Sequence, residues 1–134
     1  QLMYINKVIM FLKFIFYTSL LFLIIISLFP GSLIGYFFYA DFHKQPILIE
    51  NPFHENLNHF IYYMYISLIG FFIYHNTTKL KKTLYNLLFL SVVLELVHFI
   101  IPERSFAISD LLFNISGVIV AYFVIKIYLL IKIQ

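Results

Sequence analysis

Long apolar runs alternate with short polar segments along the chain, and this alternation predicts a bundle of membrane-spanning helices. A helix needs about 20 residues to cross the hydrocarbon layer of a bilayer, and four runs approach or exceed that length. They extend over about 9–29, 57–74, 84–101 and 111–131. The breaker pair Pro30-Gly31 ends the first run and Pro102 ends the third. We therefore predict an all-α, polytopic four-transmembrane-helix bundle that forms one domain over residues 1–134.

A further apolar segment, residues 32–40, follows the first predicted span and is too short to cross a bilayer alone. Its Tyr36 and Tyr39 belong to the amphipathic aromatic type that is enriched at membrane–water interfaces. We expect this segment to form a short interfacial helix.

Composition supports the membrane assignment and excludes several classes of function. Hydrophobic residues make up 63% of the chain and charged residues 11%, whereas soluble domains carry about 25% charged residues. The chain has no cysteine, which excludes disulfide bonds and thiol catalysis. It has neither a basic patch interleaved with aromatic residues nor a helix-turn-helix pattern, so we expect no nucleic-acid partner.

Lysine is concentrated at alternate ends of the predicted helices, and this sets the expected orientation. The N-terminal segment, the connection 75–83 and the C-terminal end contain lysine and no acid, whereas the connections 41–58 and 102–110 carry most of the acids. Because lysine marks the cytoplasmic side, both termini and the second connection should be cytoplasmic. Lys13 and Lys126 fall within apolar runs, and we expect them to snorkel to the cytoplasmic headgroups rather than serve a buried role.

Polar residues that are costly to bury in lipid gather at the opposite, outward ends of the predicted helices. One opens the second helix, two lie in the last turns of the third, one follows in the connection, and two open the fourth. These are His59, Glu95, His98, Arg104, Asp110 and Asn114. Because an alternating topology brings these helix ends together, we predict an outward-facing polar pocket that binds a ligand.

Each of these residues also has a structural explanation, and the sequence leaves both open. Asp110 would offset the positive end of the fourth helix, and Asn114 would hydrogen-bond between helices. Either histidine could be an interfacial residue without a task. Glu95 needs a partner at its depth, and Arg104, the only arginine, is the expected one. Such a pair would serve either the fold or a ligand site.

Two small residues continue the stripe that begins at Asn114. Gly117 and Ala121 follow it at helical spacing. Small residues four positions apart allow membrane helices to approach closely, so we expect this pair to pack against a neighbouring helix.

The stretch 94–122 resembles the VanZ-like family of small bacterial membrane proteins. The residues that match the family's pattern are Glu95, Pro102, Arg104, Asp110, Asn114 and Gly117. His59 matches the histidine of the family's Asp-Lys-x-x-His motif, in which Glu55 replaces the aspartate and Asn56 replaces the lysine. His98 stands where the family usually has glutamine.

The resemblance implies a multi-pass protein of the bacterial inner membrane that acts at the cell envelope. The founding member of the family is associated with resistance to the glycopeptide teicoplanin. VanZ-like modules also occur within larger membrane proteins, so the resemblance also suits an accessory subunit. Asn56 stands where the family usually has lysine, so the expected pocket lacks one positive charge. An anion would therefore bind more weakly there, or it would bind through a positively charged His98.

A metal site is the further alternative that His98 raises. Together with Glu95 it forms a Glu-x-x-His pair, which could hold a metal with His59 or Asp110. The amide that the family usually has at this position is a poor metal ligand, so we expect no metal and no other cofactor.

Three classes of function fit these features. The first is a non-enzymatic envelope protein whose pocket binds a lipid headgroup or lipid-linked glycan, with Arg104 on the phosphate. The second is a small accessory subunit of a larger membrane complex, whose polar cluster stabilises its own fold. The third is an enzyme acting on a lipid-linked substrate, with His59 or His98 as acid/base and Glu95 orienting it. We expect no enzymatic activity, because no nucleophile with an adjacent base is evident.

Overall fold

The computed structural model describes residues 2–44, 57–75 and 77–133, where helices and their connections account for the whole fold and confirm the all-α class. The helices are α1 (Leu2–Leu28), α2 (Leu33–Tyr39), α3 (Leu57–Ile73), α4 (Thr77–Val97) and α5 (Ile108–Ile133). Two of them are long and apolar enough to cross a membrane, α1 through Asn6–Leu28 and α5 through Ile108–Lys132. Helix α3 is apolar but shorter.

Helix α4 departs most from its predicted bounds, because it begins at Thr77 rather than near residue 84 and ends at Val97 rather than near 101. Its first two turns contain the three lysines that were expected in a connection. Lysine is a good helix former, so its charge does not delay the helix. At the other end, the N–H groups of residues 98–100 bond carbonyls three positions earlier, which is a tighter turn than an α-helix. Pro102 follows, and its ring disfavours the α conformation of the residue before it.

The short helix expected after the first span is present as α2. The Ser32 hydroxyl accepts a hydrogen bond from the Gly35 N–H at 2.9 Å and so satisfies one free donor of the first turn. Gly31 has a φ of +82°, a conformation that glycine adopts without steric cost. The Ser32 N–H also donates to the carbonyl of Phe42 at 2.7 Å, which folds the following loop back onto the start of the helix.

Helices α3 and α5 form the most extensive contact between helices and make up the centre of the fold. Gly117 of α5 lies directly against the α3 backbone, where an added Cβ would come 2.5 Å from the carbonyl oxygen of Phe60. Ala121, one turn further along, is fully buried. The buried apolar core comprises Phe16, Leu23, Tyr63, Ile66, Phe71, Leu80, Leu87, Leu94, Val118, Ala121 and Ile125.

The long helices meet at two ends of the bundle. The end of α1, the start of α3, the end of α4 and the start of α5 surround one cleft, and we call this the polar end. The start of α1 and the ends of α3 and α5 surround another. Lys13 lies 6.0 Å from the ring of Tyr74 and Lys126 lies 5.9 Å from the ring of Tyr122. Both lysines are exposed, so neither occupies a buried position within the bundle.

Candidate functional site

A cleft of about 370 Å³ lies at the polar end. The C-terminal half of α1 contributes an apolar wall that includes Phe22, Leu23 and Ile26. The rest of the lining comes from α2, the start of α3, the end of α4, the connection after it and the start of α5. It includes the polar residues Asn58, His59, Glu95, His98, Arg104 and Asn114. The cleft is therefore amphipathic, with apolar and ionisable residues in one lining.

Glu95 provides the most deeply buried charge of the cleft, with 1% of the residue exposed. Its Oε1 atom accepts a hydrogen bond from the Ala107 N–H at 3.2 Å and lies 3.3 Å from Nδ1 of His98. Both contacts involve the same oxygen. Within the described part of the chain, no hydrogen bond to the second carboxylate oxygen is found. Glu95 is thus held in one orientation by two elements, the end of α4 and the connection before α5.

His59 connects α3 to α5. Its Nδ1 atom lies 3.0 Å from Oδ1 of Asn114, and its Nε2 atom lies 3.5 Å from Oδ2 of Asp110. Because an amide oxygen only accepts, this geometry places a proton on Nδ1. Asn114 is 2% exposed, so the histidine is oriented by a buried amide.

Arg104 does not form the expected ion pair with Glu95. Its Nη2 donates to the carbonyl of Ile26 at 2.6 Å, and its Nε donates to the carbonyl of Phe29 at 3.3 Å. The last carbonyls of a helix have no partner within the helix, and a cation is favourable there. Arg104 therefore caps α1, and no ion pair of Arg104 with a carboxylate is found where the structure describes the chain.

The charge of Arg104 persists in its partly buried position. Burial lowers the pKa of the guanidinium, and the negative charge of Glu95 opposes this shift. A guanidinium keeps its proton in proteins, and it carries several N–H groups beyond the two that bind α1. Arg104 thus presents a permanent positive charge and further donors in the lining of the cleft.

His98 contains a buried nitrogen that lacks a partner. The residue is 6% exposed and lines the cleft. Its Nδ1 contacts Glu95, whereas Nε2 has no hydrogen-bond partner among the residues that the structure describes. Leaving a buried polar atom unpaired costs about 1–3 kcal/mol. Such atoms are typically found where a ligand or an ordered water completes the bond.

The structure gathers five of the six predicted site residues around the cleft, namely His59, Glu95, His98, Arg104 and Asn114. Asp110 does not line it but contacts His59. Two further lining residues, Ser27 and Ser32, were not identified from the sequence. The signal available was a hydroxyl residue on each side of the Pro30-Gly31 breaker pair. Ligand binding by this set remains a prediction.

Two residues of the motif that surrounds His59, Glu55 and Asn56, lie outside the described residues. Gly117 and Ala121 lie deeper along α5 and contact the core rather than the cleft. Their placement separates the packing stripe of α5 from its polar first turns.

Comparison with known proteins gives a family. A family model described as VanZ/LLP1 matches residues 14–130, a range that includes every residue lining the cleft. No curated protein and no solved structure matches the chain.

Proposed function

The chain belongs to the VanZ/LLP1 family, and we propose that it is a multi-pass protein of the bacterial plasma membrane whose cleft binds the phosphate-bearing headgroup of a lipid. Family membership confirms the resemblance of residues 94–122 and leaves the ligand open. The observation that carries the proposal is the amphipathic cleft at the polar end. A molecule with an anionic head and an acyl chain is complementary to a lining that mixes ionisable and apolar residues.

The proposal requires that α1, α3, α4 and α5 all cross the bilayer. At 1.5 Å per residue, the 17 residues of α3 extend about 26 Å and the 21 residues of α4 about 32 Å. Both lengths are close to the hydrocarbon thickness of about 30 Å. The three lysines of α4 lie in its first two turns, where they would reach the headgroups.

The distribution of lysine supports one orientation of these spans. Lys132 and the start of α4 would lie on the cytoplasmic side, together with both termini. The polar end would then lie in the outer leaflet, at the cell envelope. Only 11% of the apolar window of α1 is buried within the chain, so this helix needs an apolar environment such as lipid.

Arg104 supplies the chemistry for phosphate. The guanidinium is planar and permanently charged, and its fork of donors suits phosphate oxygens. The carbonyls of Ile26 and Phe29 hold it in place from one side. Asn58 lies in the lining of the same cleft, where its amide can bond the hydroxyls or further oxygens of a headgroup. Phospholipids and lipid-linked glycans share the phosphate that this site would recognise.

Native mass spectrometry of the protein in mild detergent tests the proposal. We expect bound lipid on the wild-type chain, with phosphatidylglycerol preferred to phosphatidylcholine by about fivefold, because one arginine near an anionic headgroup contributes about 1 kcal/mol. Ser27→Phe would fill the cleft from the α1 side without replacing an ionisable residue, and it should remove the bound lipid. Arg104→Gln should remove the preference for the anionic lipid.

Lys126→Gln is the matched control, since it removes the same charge from the exposed surface of α5, outside the cleft lining. It should retain both the lipid and the preference. Undiminished lipid on a folded Ser27→Phe variant would contradict the proposal, and this variant decides the matter if Arg104→Gln does not fold. Recovery of a second protein in place of lipid would favour an accessory subunit instead.

A further inference from the structure

Three side chains with metal-binding atoms meet beside the cleft. His59, Glu95 and Asp110 each place one nitrogen or oxygen so that these atoms lie within 4.8 Å of one another. The residues come from three helices, α3, α4 and α5, so the cluster forms only in the folded bundle. Glu95 is 1% exposed and the side chain of Asp110 is 13% exposed. The two carboxylates are thus held close together with little access to water.

The hydrogen bonds determine which atom of His59 faces the carboxylates. Its Nδ1–H donates to Oδ1 of Asn114 at 3.0 Å, so Nε2 of the neutral ring carries the lone pair. That nitrogen lies 3.5 Å from Oδ2 of Asp110. A lone pair opposite a carboxylate oxygen is unfavourable unless a cation or a proton lies between them. Histidines that bind metals are usually oriented in this way, by donating the other ring N–H to an oxygen.

Glu95 is oriented by its neighbours in a comparable way. The Ala107 N–H and Nδ1 of His98 both contact Oε1. These contacts fix the carboxylate through one oxygen, and none of the contacts within the described ranges uses the second. Carboxylates that bind metals are commonly held by hydrogen bonds of this kind.

His98 contacts Glu95 through Nδ1, so its other ring nitrogen, Nε2, is directed away from that carboxylate. Nε2 of His98 is buried and has no hydrogen-bond partner in the described ranges, although the ring lines the cleft and contacts Glu95. The unpaired nitrogen therefore belongs to the lining of the cleft rather than to the ligand cluster.

We propose that His59, Glu95 and Asp110 bind one divalent transition-metal ion of the Zn²⁺ class. One imidazole with two carboxylates suits such ions, whereas Ca²⁺ and Mg²⁺ favour ligand sets made of oxygen alone. Three protein ligands with one open position form the usual coordination of Zn²⁺ sites that keep a water or a substrate. Metal–ligand distances of about 2.0–2.2 Å require the three side chains to close around the ion by small rotations.

The expectation from the sequence was that no metal binds, because the family usually has an amide at position 98. The cluster in the structure does not use His98 as a ligand, so the identity of that residue does not weigh against it. The metal site shares the cleft with the proposed lipid site but does not depend on lipid binding. Each can fail without the other, since one is tested with the metal alone.

Metal uptake by the full chain, purified in detergent through a tag without histidine, tests this inference. We expect saturable uptake of one Zn²⁺ per chain, measured by elemental mass spectrometry and by titration calorimetry. His59→Ala and Asp110→Asn should each weaken the binding by more than about 100-fold, and Asn114→Ala, which only orients His59, by about 10–100-fold. Co²⁺ should give visible absorption bands with the wild-type protein, a readout that needs no variant.

His43→Ala is the matched control, because His43 also pairs with a carboxylate, Glu103, at 2.9 Å, but at an exposed position outside the cluster. The His43→Ala variant should bind Zn²⁺ with the same affinity as the wild-type chain. The inference is overturned if the wild-type protein shows no saturable uptake of Zn²⁺. In that case a proton alone joins His59 to Asp110. It is equally overturned if folded His59→Ala and Asp110→Asn variants bind as tightly as the wild type.

Discussion

At the residue scale, Arg104 shows how one side chain combines a structural and a chemical role. It caps the carbonyls at the end of α1 and also lines the cleft. Because α1 and the connection after α4 are far apart in the sequence, this bond joins the first span to the region that holds Glu95. Loss of Arg104 should therefore affect stability as well as binding.

We predict that Arg104→Gln lowers the free energy of unfolding by about 2 kcal/mol, since hydrogen bonds to a charged donor are worth about 1.5–3 kcal/mol. Titration with a denaturing detergent, followed by circular dichroism, measures the change. Lys126→Gln should alter the free energy by less than about 0.5 kcal/mol, as surface substitutions usually do. Equal stability of the two variants would mean that the cap of α1 contributes nothing.

Several features at this scale could be predicted from the sequence. The alternating topology placed His59, Glu95 and Asn114 at the same end of the predicted helices, and the structure places them around one cleft. The expected partner of Arg104 was wrong because its true acceptors are backbone carbonyls, which every residue carries and no sequence pattern marks. The contact between His59 and Asp110 was likewise undetermined, because it depends on the rotation of α3 against α5.

At the element scale, the contact between α3 and α5 organises the bundle. Gly117 brings the two backbones together at Phe60 and Met64. This contact also sets the distance between His59 at the start of α3 and Asn114 at the start of α5. A change deep in the core should therefore reach the cleft.

We predict that Gly117→Val destabilises the protein by about 1–3 kcal/mol, because overpacking forces the backbones apart. It should also weaken the contact between His59 and Asn114, which NMR of a selectively labelled histidine ring would report as a shift of its resonances. Ser116→Val introduces valine one position earlier, where it replaces a hydroxyl that bonds only its own helix at the Phe113 carbonyl, and it should cost less than half as much. A Gly117→Val variant as stable as the wild type would show that the helices are not in close contact.

Helix bounds illustrate what the apolar pattern can and cannot give. It predicted the bounds of α3 and α5 and the end of α1 closely, whereas α1 begins at Leu2 rather than near residue 9. It misplaced α4, because that helix begins within a lysine-rich segment whose residues favour a helix although they are not apolar. Hydropathy indicates which residues are stable in lipid, whereas helix propensity and Pro102 determine where the helix begins and ends.

At the scale of the whole molecule, the proposed topology places the polar end outside and the lysine-rich end inside. The chain has no cysteine, so labelling of a single introduced cysteine shows on which side of the membrane that position lies. We predict that Lys44→Cys reacts with a membrane-impermeant maleimide in intact cells, whereas Lys81→Cys reacts only after permeabilisation. Both lysines are exposed in the structure. Labelling of both from the same side would rule out the four-span arrangement.

We propose that the cleft at the polar end holds an anionic lipid, and tryptophan fluorescence can measure this directly. The chain contains no tryptophan, so a single introduced one gives the whole signal. Phe22→Trp places a unique fluorophore in the cleft lining, and Phe14→Trp places one on the same helix outside that lining. Both side chains are exposed in the chain, so the two positions differ in their contact with the cleft. Quenching by lipids with brominated acyl chains is compared between phosphatidylglycerol and phosphatidylcholine at each position, so differences in depth cancel. At position 22 we expect quenching to show a preference of about fivefold for phosphatidylglycerol, and at position 14 we expect no preference. Adding Arg104→Gln should abolish the preference at position 22. Equal quenching by the two lipids at both positions would show that the cleft does not select an anionic lipid.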